Sequence, residues 1–142
     1  MADTLSRAAR SENMRRIRAK DTVPELAVRR ALHRMGLRFR LHASELPGKP
    51  DLVLRRHQAV VLIHGCFWHQ HRRCVDGHVP KTNLSYWQAK LERNVLRDRR
   101  NRRKLVQLGF RVLVIWECEA QHPAILEKKL RRFFPPPEPE AA

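Results

Sequence analysis

The run His64-Gly65-Cys66-Phe67-Trp68-His69-Gln70-His71-Arg72-Arg73-Cys74 gathers two of the chain's three cysteines, three of its eight histidines and an adjacent aromatic pair into eleven positions. Thiols and imidazoles this dense constrain the fold more than any apolar pattern, because they must be satisfied together. With Cys118 added from far downstream, Cys66, His71, Cys74 and Cys118 supply three thiolates and one imidazole, a set suited to tetrahedral Zn²⁺ that uses every cysteine. A fold that closes this site must bring position 118 back to the 66–74 loop. A disulfide framework fits poorly, since a Cys66–Cys74 bridge would strand Cys118. His64 and His69 are left over for other chemistry.

A chain of 142 residues is the size of one domain and can bury a real core, so zinc would fasten a local segment and not replace a core. Lys and Arg total 30 against 14 Asp and Glu, a formal net charge of +16 that is opposite in sign to a phosphate backbone. Nucleic acid is the leading partner. A generally basic surface, or one lying on anionic lipid, is the alternative, and the aromatics of the metal loop weigh against it. No apolar run approaches the ~20 residues of a membrane span, and Met1-Ala2-Asp3-Thr4 lacks the layout of a secretory signal. A cytoplasmic protein with no membrane partner is expected.

Residues 1–20 form a basic arm (Arg7, Arg10, Arg15, Arg16, Arg18, Lys20) with few large apolar residues, expected to order on a polyanion. Thr22-Val23-Pro24-Glu25 is a capping box, and Val28, Ala31, Leu32 and Met35 give the stripe of a helix that Gly36 stops. A short strand over 39–42 precedes the turn Leu46-Pro47-Gly48-Lys49-Pro50, whose last proline biases Lys49 toward extended geometry and delivers Asp51 to a strand over 51–54. Residues 55–58 separate it from the β-branched run 59–64, and so short a link favours an antiparallel pair. Ser85-Tyr86-Trp87-Gln88 offers a second capping box to a long charged helix, with Trp87, Leu91 and Val95 on its inner face, that ends at Gly109. A strand over 110–116 and a helix over 123–134 follow, then a proline-rich tail, 135–142, expected to be disordered. The order predicts an α/β domain over 21–134, a mixed central sheet flanked by helices.

In an antiparallel pair the start of one strand lies beside the end of the next, so Asp51 converges with Ile63 and His64 and offers a one-carboxylate Mg²⁺ site. An aspartate bonding its own turn is the competing reading for Asp51, and a hydrogen-bonded structural histidine for His64. Glu25 is either the acceptor of its capping box or a second member aimed at the site through water. One of His69 and His71 completes the zinc set. We assign His71 to zinc and His69 to the base that takes a proton from water attacking a phosphodiester. Phe67 and Trp68 either cover the zinc or wedge into stacked bases, which costs least at a mispaired step. Arg97, Arg99 and Arg100, in the arginine-dense stretch 93–104, are phosphate contacts. Asp98 within it orients an arginine or the helix packing, with no catalytic role assigned.

These residues resemble the very short patch repair endonucleases, bacterial enzymes that nick DNA beside a thymine–guanine mismatch left by deamination of 5-methylcytosine. The likeness runs through Arg10-Ser11-Glu12-Asn13-Met14, Asp21-Thr22, Leu46-Pro47-Gly48-Lys49-Pro50-Asp51, His64-Gly65-Cys66-Phe67-Trp68-His69, Asn94-Val95 with Arg97-Asp98-Arg99-Arg100, Leu108-Gly109-Phe110-Arg111-Val112-Leu113 and Trp116-Glu117-Cys118, leaving out only the tail. It implies a restriction-endonuclease-like core with a structural zinc on Cys66, His71, Cys74 and Cys118. It further implies Mg²⁺ on Asp51 and the Ile63 backbone carbonyl, with His64, His69 and Glu25 completing the active centre. Phe67 and Trp68, helped by Trp87, would enter DNA from the major groove and Met14 from the minor groove. Two departures are visible: Ile63 stands where threonine is familiar, and Arg72-Arg73 lengthens the His71–Cys74 spacing by one residue. Mismatch-repair proteins are further candidate partners, and a monomer is expected. The alternatives are a nicking or restriction-type nuclease of this fold without a mismatch requirement, and a non-catalytic zinc-stabilised DNA-binding module.

Overall fold

A computed structural model of the chain describes residues 22–71 and 82–136. The expected N-terminal arm with Met14, the zinc candidate Cys74 and most of the tail lie outside the described residues.

Helix α1 (Val23–Arg34) opens on Thr22, whose Oγ1 accepts the Glu25 N–H at 3.4 Å, with Pro24 in its first turn. Its close is legible in the sequence. Gly36 at φ 76° lets its own N–H reach the His33 carbonyl (2.9 Å) and the Leu37 N–H reach the Leu32 carbonyl (3.0 Å), so the last carbonyls are satisfied. Three strands follow: β1 (Arg40–Leu41), β2 (Leu52–Leu54) and β3 (Ala59–His64), with a 3₁₀ turn over Arg55–His57 between the last two. Helix α2 (Leu84–Gln107) then crosses to β4 (Arg111–Trp116). A helical turn α3 (Glu117–Ala120) and the closing helix α4 (Pro123–Phe133) complete the order.

The sheet runs β1-β2-β3-β4, antiparallel at the first two pairs and parallel at β3·β4. This is the mixed α/β sheet with flanking helices that the element order predicts. Side chains alternate across it. Leu52, Leu54, Val61, Leu113 and Ile115 pack on one face against Val28 and Leu32 of α1 and Leu126 and Leu130 of α4. Val53, Val60 and Leu62 pack on the other face with Leu105 of α2. Every residue of β2 is buried, as are the first four of β3, which is why those runs are apolar without alternation.

Two local expectations are corrected. Helix α2 is capped at Asn83, two residues ahead of the expected Ser85 cap, because Asn83 takes the left-handed conformation (φ 55°) that asparagine tolerates and turns the chain into the helix there. Lys49 is not extended: it sits at φ 46°, because the reversal from residue 46 must finish within four residues for the Pro50 carbonyl to meet the Ala43 N–H. Strand β4 runs straight into α3, a turn the element order did not include, where the Glu119 carboxylate accepts the Trp116 main-chain N–H at 2.9 Å and itself receives Lys129 Nζ at 2.7 and 2.9 Å. Among the described residues no helix is long and apolar enough to cross a membrane.

Candidate active site and metal centre

The β2·β3 ladder ends at Leu52↔Val61, so Asp51 stands one step past the last paired residue. Its Oδ2 accepts the Ile63 N–H at 2.7 Å. The turn that delivers it is held by Ala43 N–H on the Pro50 carbonyl and His42 N–H on the Asp51 carbonyl. Gly48 in that turn has φ 74°, and a Cβ there would lie 2.9–3.1 Å from the Asn101 side chain of α2. Burial pushes the Asp51 carboxyl up to about 6; the Ile63 N–H opposes this and the nearby Glu25 charge adds to it. A carboxylate so placed gains by meeting a cation.

On one side of Asp51 stand Glu25 and His42, and the ligand-type atoms of all three lie within 4.8 Å of one another. Glu25 is 8% exposed and comes from the first turn of α1, where its Oε2 receives Arg29 at 3.0 Å and lies 3.7 Å from His42 Nε2. Sequence reasoning missed His42. The signal was present: continuing the β1·β2 register one step beyond Leu41↔Leu52 sets His42 beside Asp51.

On the other side are the two histidines of the 64–71 segment. The rings of His64 and His69 stack with centroids 3.9 Å apart and planes 6° from parallel. Asp98 of α2 meets His69 Nδ1 through Oδ2. His64, His69 and Asp98 are close enough for a metal cage, but parallel stacked imidazoles aim their in-plane lone pairs along parallel lines and cannot converge on one ion. They suit proton handling instead. Burial first, then His69 and Arg102, hold the His64 imidazole down at about 3 against the pull of Asp98, so it is neutral near pH 7. Asp98 was assigned only to packing or an arginine; it lies against His69, and its one signal was being the lone acid of an arginine-rich stretch. Pro47, Gly48, Asp51, Ile63, His64, His69, Arg97 and Asp98 line one cleft of about 470 Å³.

Behind the cleft the 65–71 segment coils tightly, with the His69 N–H on the Gly65 carbonyl (3.1 Å) and the His71 N–H on the Cys66 carbonyl (2.9 Å). This turns Cys66 and His71 to the same side, and α3 brings Cys118 to meet them. Their ligand atoms lie within 4.8 Å of one another, with Cys118 Sγ 3.4 Å from His71 Nδ1. Tetrahedral zinc at ~2.3 Å from sulfur and ~2.0 Å from nitrogen wants ligand separations of ~3.5 Å, so the three fit that ion. Trp116 stacks on the His71 ring (4.2 Å, 10°).

Phe67, Trp68 and Trp87 form one half-buried cluster with centroids 5.0–6.0 Å apart, topped by Lys90 at 5.5 Å from the Trp68 ring. The Trp68 carbonyl is anchored by Asn94 Nδ2 at 3.3 Å. Arg97, Arg99 and Arg100 are exposed on α2.

A family model described as DNA mismatch endonuclease Vsr matches residues 2–75. The type II nicking enzyme V.XorIIP of Xanthomonas oryzae pv. oryzae is 46% identical over 136 residues, covering 96% of this chain and 99% of its own length. V.NmeAIP of Neisseria meningitidis, also named a type II nicking enzyme, is 42% identical over 94% of both chains. The DNA mismatch endonuclease Vsr of Escherichia coli is 45% identical over 118 residues, 83% of this chain and 75% of that protein.

Gly48→Ala is expected to lower stability by about 1–2 kcal/mol for the left-handed backbone alone, and by more for the clash with Asn101. Adding Asn101→Ala, which removes the atoms at 2.9 and 3.1 Å but keeps the Cβ at 3.0 Å, should recover part of the steric loss and none of the backbone strain. Urea unfolding midpoints of the two variants check this.

Proposed function

The chain belongs to the Vsr family of DNA mismatch endonucleases and is a DNA endonuclease, and from that premise we propose that it nicks one strand of duplex DNA beside a T:G mismatch by Mg²⁺-dependent phosphodiester hydrolysis. The observation that carries this reading is the single cleft holding Asp51, tied to Ile63, on one wall and the His69–Asp98 pair on the other. A non-catalytic DNA-binding module would have no use for that convergence.

In this reading the domain is a restriction-endonuclease-like core, and Asp51 with the Ile63 main-chain carbonyl holds Mg²⁺, with Glu25 nearby. A carbonyl ligand is indifferent to the side chain, so Ile63 serves where threonine would. When bound, the ion supplies charge stabilisation to the attacking and leaving oxygens. His69 takes the proton of the attacking water at Nε2, because Asp98 accepts from Nδ1 and so fixes the tautomer and the ring. His64, neutral and stacked on His69, donates to a phosphate oxygen and keeps that ring from turning.

Cys66, His71 and Cys118, with Cys74 as the fourth ligand, hold a structural Zn²⁺. The zinc sets the root of the loop whose tip carries Phe67 and Trp68. These two, backed by Trp87, wedge into the duplex from the major groove, with Met14 opposite in the minor groove. A mismatched step loses less stacking on insertion, which makes the wedge a selector for mispaired DNA. Arg97, Arg99 and Arg100 contact phosphates. V.XorIIP and V.NmeAIP are named for nicking alone; the second reading is a nicking enzyme of this fold without the mismatch requirement.

With Mg²⁺ and one duplex prepared with T:G or T:A at the same position, denaturing gels are expected to show a single nicked strand only for T:G. Equal nicking of both duplexes selects the second reading. Asp51→Ala should lower the nicking rate by about a thousandfold or more, the several kcal/mol that a lost metal contributes, while gel-shift affinity for the duplex is retained. For Cys118→Ala, zinc in the purified protein should fall from about one equivalent per chain to near none, since a closed site needs its full ligand set. Metal analysis by emission spectrometry reads this directly.

A further inference from the structure

Glu25, His42 and Asp51 bring two carboxylates and an imidazole within 4.8 Å, a donor set that would serve a second divalent cation. The position beside Glu25 and His42 is, however, already served by a positive charge. Arg29, one helical turn after Glu25 on α1, places NH2 3.0 Å from Glu25 Oε2 and 3.4 Å from His42 Nε2, with its side chain only 14% exposed. A guanidinium has no acceptor and keeps its proton at any working pH, so Arg29 can only donate. In the tautomer that leaves His42 Nε2 unprotonated, its lone pair faces the guanidinium and not an ion.

We propose that Arg29 is a positioning residue that takes the place of a second divalent cation at Glu25 and His42, leaving Asp51 as the centre of a one-metal site. Two features of the geometry carry it. Divalent cations of the Mg²⁺ class need several oxygen ligands at short range, and the Glu25 oxygen that faces His42 is the one bonded to Arg29. An ion on Glu25 and His42 would also stand next to a permanent like charge in a site mostly removed from water, where repulsion is weakly screened. The guanidinium holds the Glu25 carboxylate and the His42 ring in fixed places beside Asp51, which an exchangeable ion would do only when bound.

This inference rests on the reading of Asp51 as the Mg²⁺ ligand, and counting ions separates the two. The zinc-loaded, DNA-free full chain is titrated with Mn²⁺, and the free ion is read by its electron paramagnetic resonance signal. The expected count is one Mn²⁺ per wild-type chain, lost in Asp51→Ala, and two in Arg29→Met. Adding Glu25→Gln to Arg29→Met should return the count to one. Arg29→Lys, which keeps the charge, should stay at one. The Mg²⁺ dependence of nicking should steepen from first toward second order in Arg29→Met. Two ions on the wild-type chain, or one on both wild type and Arg29→Met with the Asp51→Ala loss intact, overturns the inference and leaves the Asp51 reading standing. A wild-type count that Asp51→Ala does not change overturns the Asp51 reading and this inference with it.

Discussion

The hydrogen bond from the Ile63 N–H to the Asp51 carboxylate, 2.7 Å long, is the point at which sheet becomes active site. Up to Leu52↔Val61 the β2·β3 pair satisfies its own backbone, and beyond it a side chain takes over the role of the missing strand residue. One interaction thereby closes an orphan donor at the strand end, aims a buried carboxylate and fixes the main chain of residue 63 next to it. The parallel pairing of β3 with β4 continues to His64↔Trp116, so the strand that carries Ile63 and His64 is clamped on its other edge as well. The cleft wall at residues 63 and 64 continues a strand whose first four residues are all buried.

Net charge and site charge run in opposite directions. The chain carries +16, opposite in sign to a polyanion, yet three acids stand in and beside the cleft: Asp51 and Asp98 line it, and Glu25 lies next to Asp51. Each meets a donor: Asp51 the Ile63 N–H, Glu25 the Arg29 guanidinium, Asp98 the His69 ring. Without such partners three carboxylates in and beside one partly desolvated cleft would repel each other and the phosphate they serve. In the proposed function the basic surface gathers the DNA and the acids organise the cleft that meets it, so the two distributions complement each other.

Much of this was legible in the residues. Apolar runs at 52–54 and 59–64 read as strands covered on both faces and 111–116 as a further strand, and Gly36 and Gly109 marked helix ends because only glycine takes φ 76° and 93° cheaply. The cysteine bookkeeping that sent Cys118 to the 66–74 loop anticipated its closeness to Cys66 and His71 before any distance was known. What escaped were contacts between elements far apart in sequence. Asp98 reaches His69 across 29 residues and His42 meets Glu25 across a sheet edge, neither of which leaves a local spacing to read. The α3 turn escaped for a related reason: Glu119 caps it by bonding Trp116, and Lys129 of the next helix holds Glu119 there.

Trp116 ties the two centres together. Its ring stacks on His71 of the metal trio at 4.2 Å and meets His64 edge-on at 5.3 Å, while its N–H is held by Glu119 at the head of the turn that carries Cys118. The indole is therefore a shared wall, with the Cys66–His71–Cys118 group on one side and the stacked histidine pair on the other. The 65–71 segment supplies residues to both groups, so Cys66 and His71 are tied to His69 through the same tightly coiled main chain. A chain with a modest core has fastened its least regular segment at the place where angular precision matters most, and the same fastening presents Phe67 and Trp68 outward from a fixed base.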